Sequence, residues 1–283
     1  MSVSIAWMQP DRAYRQDPGL AQSSLKSILI SPAHYQASLK RRFPSTPNMT
    51  LGSALHCLIL EGRKVFDASY VTRPDDIKLN TKEGKTWAAE QNGKTILNGE
   101  QSAQLLGMAK ALEGLEWFDP ERQEELRKYS ELSIYWDWNG VDCKARLDRV
   151  IELEDQVLVL DLKTTDSVNY KKFMDKMVHL NYMFQAAYYT EAATVAFKKP
   201  AQFVFVGVER DLPNTIDFFT PAPSMVEESR AQCEYALKTW KTCMLTDHWP
   251  NNPPQMHTME LPEWYRSPVP RDTMEVETEE PLF

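Results

Sequence analysis

The sequence predicts an α/β domain with a mixed central sheet flanked by helices, and three observations predict it. Residues 129 to 165, YSELSIYWDWNGVDCKARLDRVIELEDQVLVLDLKTT, alternate apolar and polar positions. They break at Asn139-Gly140 and Glu154-Asp155, which makes a three-strand meander with a hairpin turn at Asn-Gly. Two helical segments, roughly 167 to 180 and 182 to 196, then lead to AQFVFVGVE, a run apolar enough to be a strand covered on both faces. LGSALHCLILEG, residues 51 to 62, is apolar nearly all round and stops at Gly62, as a buried helix does.

The remaining elements follow in order. After an irregular start, SSLKSILISPAHYQASLKRRF reads as two short helices separated at Ser31-Pro32, where proline suits a helix's first turn. Residues 63 to 100 are polar, carry Gly84, Gly93 and Gly99, and mix loop with exposed helix. Residues 101 to 128 suit a long helix interrupted near Asp119-Pro120. TIDFFT is a last strand before a long helix from about Ser224 to Leu245, and the chain after Trp249 is proline-rich and extended. With no internal repeat and no linker, residues 1 to 265 are expected to form a single domain with its core at about 24 to 245. Residues 266 to 283 are expected to form an acidic, flexible tail.

A hydrophobic fraction of 42% and a charged fraction of 25% are those of a globular protein. No apolar run approaches the roughly 20 residues of a membrane span. The start, MSVSIAWMQPDRAYRQD, lacks the basic and apolar stretches of a secretory signal, so an intracellular protein is expected. Cys57, Cys143, Cys233 and Cys243 form no C-x-x-C and read as buried or free thiols.

The net charge of −8 argues against a grip on nucleic acid by bulk charge alone. The distribution softens this. Asp272, Glu275, Glu277, Glu279 and Glu280 account for five of the negative charges, and the chain without them stands at −3. Residues 24 to 45 carry Lys26, Lys40, Arg41 and Arg42 and no acid.

The stretch VLVLDLKT poses the chemical question, because an aliphatic strand ends in an acid and a base at Asp161 and Lys163. Side chains at i and i+2 share a face, and buried charge there is costly unless it is paired or bound. Asp148, in ARLDRV on the preceding strand, comes close enough to make a pair of carboxylates with Asp161. Two close carboxylates repel unless a cation lies between them, and hard oxygen donors favour Mg²⁺ or Mn²⁺. A lysine beside such a pair suits hydrolysis of a phosphodiester. In FQAAYY, Gln185 and Tyr189 fall four residues apart on one helix face. His56 lies in the otherwise apolar helix, where a satisfied core histidine is the commoner reading.

In this order, these pieces resemble the PD-(D/E)xK nuclease superfamily, specifically the RecE-like (exodeoxyribonuclease VIII-type) and RecB-like exonucleases of phage and bacterial recombination. LGSALHCLILEG corresponds to the helical histidine motif, ARLDRV to the first acid, LDLKTT to the (D/E)xK strand and QAAYY to the Q-x-x-x-Y helix. TMELPEWYRSP is similar to the segment after the RecE-type core, and the resemblance spans roughly residues 24 to 265.

The resemblance implies a restriction-endonuclease-like core and a role for each residue. Asp148 and Asp161 would hold metal, with His56 and the backbone carbonyl of Leu162 completing the shell. Lys163 would orient the attacking water, and Gln185 would fix Lys163 or the scissile phosphate. Tyr189 would touch the DNA backbone. Arg146 and Arg149 beside Asp148, and Arg41 and Arg42, are candidates for DNA contact or are ordinary solvated charges, and Glu131 either reaches the metal or supports the site from behind. Two Mg²⁺ ions are implied, with Mn²⁺ as a substitute. The late cysteine spacing of iron–sulfur relatives is missing, so no cluster is expected.

The implied activity is digestion of linear double-stranded DNA, 5′→3′, leaving 3′ single-stranded tails for phage or prophage recombination. The implied partners are duplex ends, a single-strand annealing protein and further copies in a ring, a trimer or tetramer, in the bacterial cytoplasm. An endonuclease on the same core, or a non-catalytic DNA-binding or assembly protein, is the alternative.

Overall fold

A computed structural model of the protein describes residues 3–7, 9–40, 46–119, 122, 129–262 and 265. In chain order the elements are β1 (Ser4–Ala6), α1 (Asp11–Gln16), α2 (Gln22–Lys26), α3 (Pro32–Lys40), α4 (Pro47–His56), α5 (Arg63–Ser69) and β2 (Tyr70–Thr72). Then come α6 (Lys82–Glu90), β3 (Thr95–Leu97), α7 (Gly99–Glu113), β4 (Ser130–Asp137), β5 (Asp142–Glu152) and β6 (Val157–Thr165). The chain continues through α8 (Tyr170–His179), α9 (Tyr182–Phe197), β7 (Ala201–Glu209), β8 (Ile216–Phe219) and α10 (Pro223–Thr246).

The main sheet runs β1-β4-β5-β6-β7-β8 and is antiparallel except where β6 and β7 pair in parallel. Parallel neighbours need a long crossover, and α8 and α9 provide it. The hairpin between β4 and β5 turns at Asn139 and Gly140, which both take positive φ, 55° and 78°. That left-handed pair is why Asn-Gly marks the turn. β7 covers the predicted AQFVFVGVE stretch, and the two crossover helices fall close to their predicted limits.

Apolar side chains collect on both sides of the sheet. One core joins β4, β5 and β7 to α9 and α10 through residues such as Trp136, Tyr188, Phe203 and Leu237. The other joins α4 and α7 to Leu160, Leu162, Val206 and Val208. This is a mixed sheet between two helical layers, the expected fold class.

Three features depart from the sequence reading. The irregular start contains β1, which extends the sheet beside β4. The polar stretch after residue 62 contains a small parallel ribbon of β2 and β3. The long helix expected over 101 to 128 is α7, which ends at Glu113 and is followed by a 3₁₀ turn at Glu116–Phe118. Leu115 is extended between them, so the break comes before Asp119. Residues 120–121 and 123–128 lie outside the described residues, as does the tail 266–283.

Met1–Asn251 form one compact unit and Asn252–Phe283 a second. In the second, residues 252–262 carry no helix or strand, and Met256, Met259 and Leu261 are exposed. No helix among the described residues is long and apolar enough to cross a membrane.

Candidate active site

The site forms where the β5/β6 ladder ends. The last paired residues are Arg149 and Leu160, so Asp148 and Asp161 come next, opposite each other, without a ladder bond. The side chain of Asp148 fills the gap: its Oδ2 accepts a hydrogen bond from the backbone N–H of Leu162 at 2.8 Å. On its other side Asp148 faces Glu131, which falls between the β4/β5 pairs Ser130–Arg149 and Leu132–Leu147. Glu131 has φ +47°, in the left-handed region that non-glycine residues rarely adopt. Strain of this kind persists only where its surroundings fix it, and such residues gather at functional sites.

α4 brings His56 in from the opposite layer. Thr46 caps the helix by accepting from Met49 N at 3.2 Å, and Pro47 occupies its first turn. His56 is the last α-helical residue, and the next turn, Cys57–Glu61, widens to a π-helix that ends at Gly62 with φ 95°. Widened turns of this sort are frequent at functional sites. The His56 Nε2 lies 2.9 Å from the carbonyl oxygen of Leu162. Its Nδ1 lies 3.6 Å from Asp148 Oδ2 and 3.8 Å from Glu131 Oε1.

α9 supplies the third side. Its capless start at Asn181, with φ 47°, turns the chain so that a helix buried almost all round runs beneath the sheet. Gln185 Nε2 donates to Asp161 Oδ1 at 2.6 Å. The other carboxylate oxygen of Asp161 meets the Lys163 ammonium in an ion pair, as two residues on one strand face allow. That ammonium also lies 4.9 Å from the ring centre of Tyr182.

The charges are arranged unevenly. Burial raises the Asp148 carboxyl most, and although His56 opposes it, the neighbouring Asp161 and Glu131 carboxylates help push it up to about 7. Burial works against charge on His56, yet Asp148 and Glu131 push the imidazole up to about 9. Glu131 is held below the usual carboxylate range, against its burial, by His56 and Arg146. Lys163 is likewise raised against its burial by Asp161 and Asp148.

This donor set fits a small hard cation. His56, Glu131 and Asp148 each offer a ligand atom within 4.8 Å of the others. The Leu162 carbonyl lies beside them and accepts from the His56 Nε2, which leaves Nδ1, the nitrogen that faces both carboxylates, as the imidazole donor. Oxygen donors with one imidazole suit Mg²⁺ or Mn²⁺ rather than a soft metal.

The carboxylates open into a cleft of about 600 Å³, lined among others by Tyr14, Arg15, His56, Glu131, Asp148 and Tyr189. Asp161 is only 1% exposed and sits behind this cleft. Of the metal-binding set drawn from the sequence, His56, Asp148 and the Leu162 carbonyl come together, Asp161 stands apart with its two oxygens on Gln185 and Lys163, and Glu131, whose role the sequence left open, lies at ligand distance.

The DNA-contact residues fare differently. Tyr189 lines the cleft. Arg146 also lines it, but its guanidinium is engaged by Glu131 Oε2 at 2.5 Å and by the Gln9 carbonyl at 2.8 Å. Arg149 is a correction: it alternates away from Asp148 on β5, is 2% exposed, and lies 5.5 Å over the Phe118 ring. Burial lowers it to about 10, and a guanidinium so enclosed does not reach a phosphate in the cleft. Arg41 and Arg42 lie outside the described residues.

Sequence reading missed the N-terminal wall. α1 presents Asp11, Tyr14 and Arg15 to the cleft. It is held by Lys144, which donates to Tyr14 O at 2.9 Å and Asp17 O at 2.6 Å, and by Leu20 bridging to Cys143. The only signal is the mixture of aromatic and basic residues in DRAYR, too short to separate from an ordinary surface helix.

A (D/E)xK strand, a helical histidine and a Q-x-x-x-Y helix meeting where two central strands of a mixed sheet part define the PD-(D/E)xK nuclease superfamily. The chain belongs to the family described as a PDDEXK-like domain of unknown function (DUF3799), which matches residues 21–260. Among solved structures, a candidate exonuclease from Eubacterium rectale superposes with TM-score 0.58 and 12% identity over 88% of this chain and 97% of its own. At that identity the likeness bears on the fold. A second structure, SSO0001, aligns at TM-score 0.32 and 12% identity over 79% of this chain and 77% of its own, too loosely to argue from. No curated protein matches the sequence.

Proposed function

We propose that the protein is a divalent-metal-dependent deoxyribonuclease that digests linear duplex DNA from its ends. The observation that carries this reading is the meeting of two half-sites on adjacent residues of β6. His56 and Asp148 converge on the Leu162 peptide, while Gln185 and Lys163 hold Asp161.

The residues divide the work. His56, Glu131, Asp148 and the Leu162 carbonyl would hold a divalent cation, with Asp161 behind them. When bound, such an ion supplies Lewis acidity toward a phosphoryl oxygen and makes water more acidic. Gln185 fixes the Asp161 carboxylate, which in turn fixes the Lys163 ammonium. Placed there, Lys163 orients the attacking water and steadies the charge that develops on the phosphate. Tyr189 and the α1 wall bound the cleft in which the strand lies.

Polarity, tail formation and assembly extend the resemblance. On this reading digestion runs 5′→3′ in the bacterial cytoplasm and leaves a 3′ strand for a single-strand annealing protein in phage or prophage recombination. A ring of three or four copies would keep a chain of net charge −8 on its substrate by topology rather than by bulk attraction.

A linear duplex labelled at the 5′ or the 3′ end, beside a covalently closed circle, tests the reading in Mg²⁺, Mn²⁺ and chelator. Metal-dependent early release of the 5′ label with an intact circle is expected. A cut circle would show an endonuclease, and no cleavage in either metal would leave only a binding role.

A further inference from the structure

Lys26 lies beside the site and makes no ion pair among the described residues. It ends α2, is half-buried, and donates from Nζ to the carbonyls of Leu180 at 2.6 Å and Asn181 at 3.4 Å. Its ammonium is 5.6 Å from the centre of the Tyr182 ring, the ring that also lies 4.9 Å from Lys163 Nζ. Both ammonium groups therefore lie close to one aromatic ring. Burial lowers Lys26 first, and repulsion from Lys163 lowers it further; no carboxylate counters either.

Lys176 repeats the pattern on α8. Its Nζ reaches Thr165 Oγ1 at 3.3 Å and Thr164 O at 3.5 Å, at the end of the strand that carries Lys163. Burial alone lowers it, and among the described residues it too makes no ion pair. Lys163 is paired with Asp161, whereas Lys26, at the Tyr182 ring, and Lys176, at the end of the strand that carries Lys163, have no carboxylate partner among the described residues. Keeping an ammonium group unpaired in a partly buried place is unfavourable in the free protein and becomes favourable when an anion arrives.

We infer that Lys26 and Lys176 bind backbone phosphates of the DNA strand flanking the scissile one, with Tyr182 as the spacer that holds Lys26 apart from Lys163. The inference rests on the nuclease reading for its substrate. A purely structural Lys26 would only cap the carbonyls at the end of α8. Lys26→Gln separates the two, because a glutamine amide still donates to a carbonyl but carries no charge.

The experiment is fluorescence anisotropy of a short labelled duplex in chelator, across a range of NaCl concentrations. It compares the wild type, Lys26→Gln, Lys26→Arg, Lys176→Gln and the double glutamine variant, with a thermal melt of each. Removing one lysine–phosphate pairing flattens the slope of log affinity against log salt by about 1. The expected result is an affinity several-fold weaker and a slope smaller by about 1 for each single glutamine variant. The double variant loses about twice that slope, Lys26→Arg restores it, and melting temperatures stay close to the wild type. An unchanged slope in Lys26→Gln overturns the inference, as does a loss that follows the melting temperature and is not restored by arginine. A wild type that binds duplex but cuts nothing in Mg²⁺ or Mn²⁺ defeats the nuclease reading, while the slopes still decide the role of Lys26. A wild type that does not bind duplex overturns both.

Discussion

Asp148 accepts the backbone N–H of Leu162 at 2.8 Å, in the place where the next rung of the β5/β6 ladder would stand. The same side chain thus closes the end of the β5/β6 ladder and faces His56 and Glu131. The two duties separate on substitution. Asparagine keeps an oxygen for the Leu162 N–H, whereas alanine leaves that buried donor unmatched, at a cost of about 1–3 kcal/mol. Asp148→Asn should therefore unfold at higher urea than Asp148→Ala, while both lose cleavage. Equal stabilities of the two variants would show that the hydrogen bond contributes nothing.

Gln185 touches no position that the cleft exposes to substrate, yet it fixes Asp161. Gln185→Leu should lower kcat by roughly 10–100-fold, the scale usual for losing a hydrogen-bond partner that orients a metal site from outside, without unfolding the chain. Single-turnover cleavage measures this. A kcat within about twofold of the wild type would remove Gln185 from the machinery.

Arg146 is enclosed with Glu131, so its loss should appear as instability before it appears as weak DNA binding. Leaving a buried carboxylate without its guanidinium costs about 3 kcal/mol. Arg146→Met should melt well below the wild type, and adding Glu131→Gln should recover part of that loss. An Arg146→Met protein of normal stability with weakened DNA affinity would restore the phosphate-contact role.

Arg149 makes the contrasting case. Packed over Phe118 and turned away from Asp148, it should be irrelevant to the salt dependence of DNA binding. The anisotropy titration of Arg149→Met should give the wild-type slope, and a slope smaller by about 1 would place it on the DNA after all.

Much of this site is legible in the sequence because its parts are local. Asp161 and Lys163 share a strand face by spacing alone, and Gln185 and Tyr189 share a helix by theirs. The Asn139-Gly140 turn announces the hairpin that carries Asp148. What the sequence conceals depends on distant partners. Glu131 and Arg146 look alike as charged strand residues, and only the left-handed turn at Glu131 shows that they face each other. Arg146 and Arg149 both flank Asp148, but the strand sends one to the cleft and buries the other. β1 has three residues, too few for a pattern, and α1 acquires its place through partners such as Lys144, more than a hundred residues away. Lys26 reads as one of several basic residues in a short helix until Tyr182 and Lys163 stand beside it.

Calorimetric titration of Mn²⁺ into the wild type, His56→Ala and Asp148→Asn is the decisive measurement for the metal site. If His56 and Asp148 converge on Leu162 to hold a cation, the wild type binds Mn²⁺ saturably and each variant binds it at least about tenfold more weakly. Variants that bind Mn²⁺ as tightly as the wild type would refute this, because the geometry around Leu162 would then have nothing to do with metal.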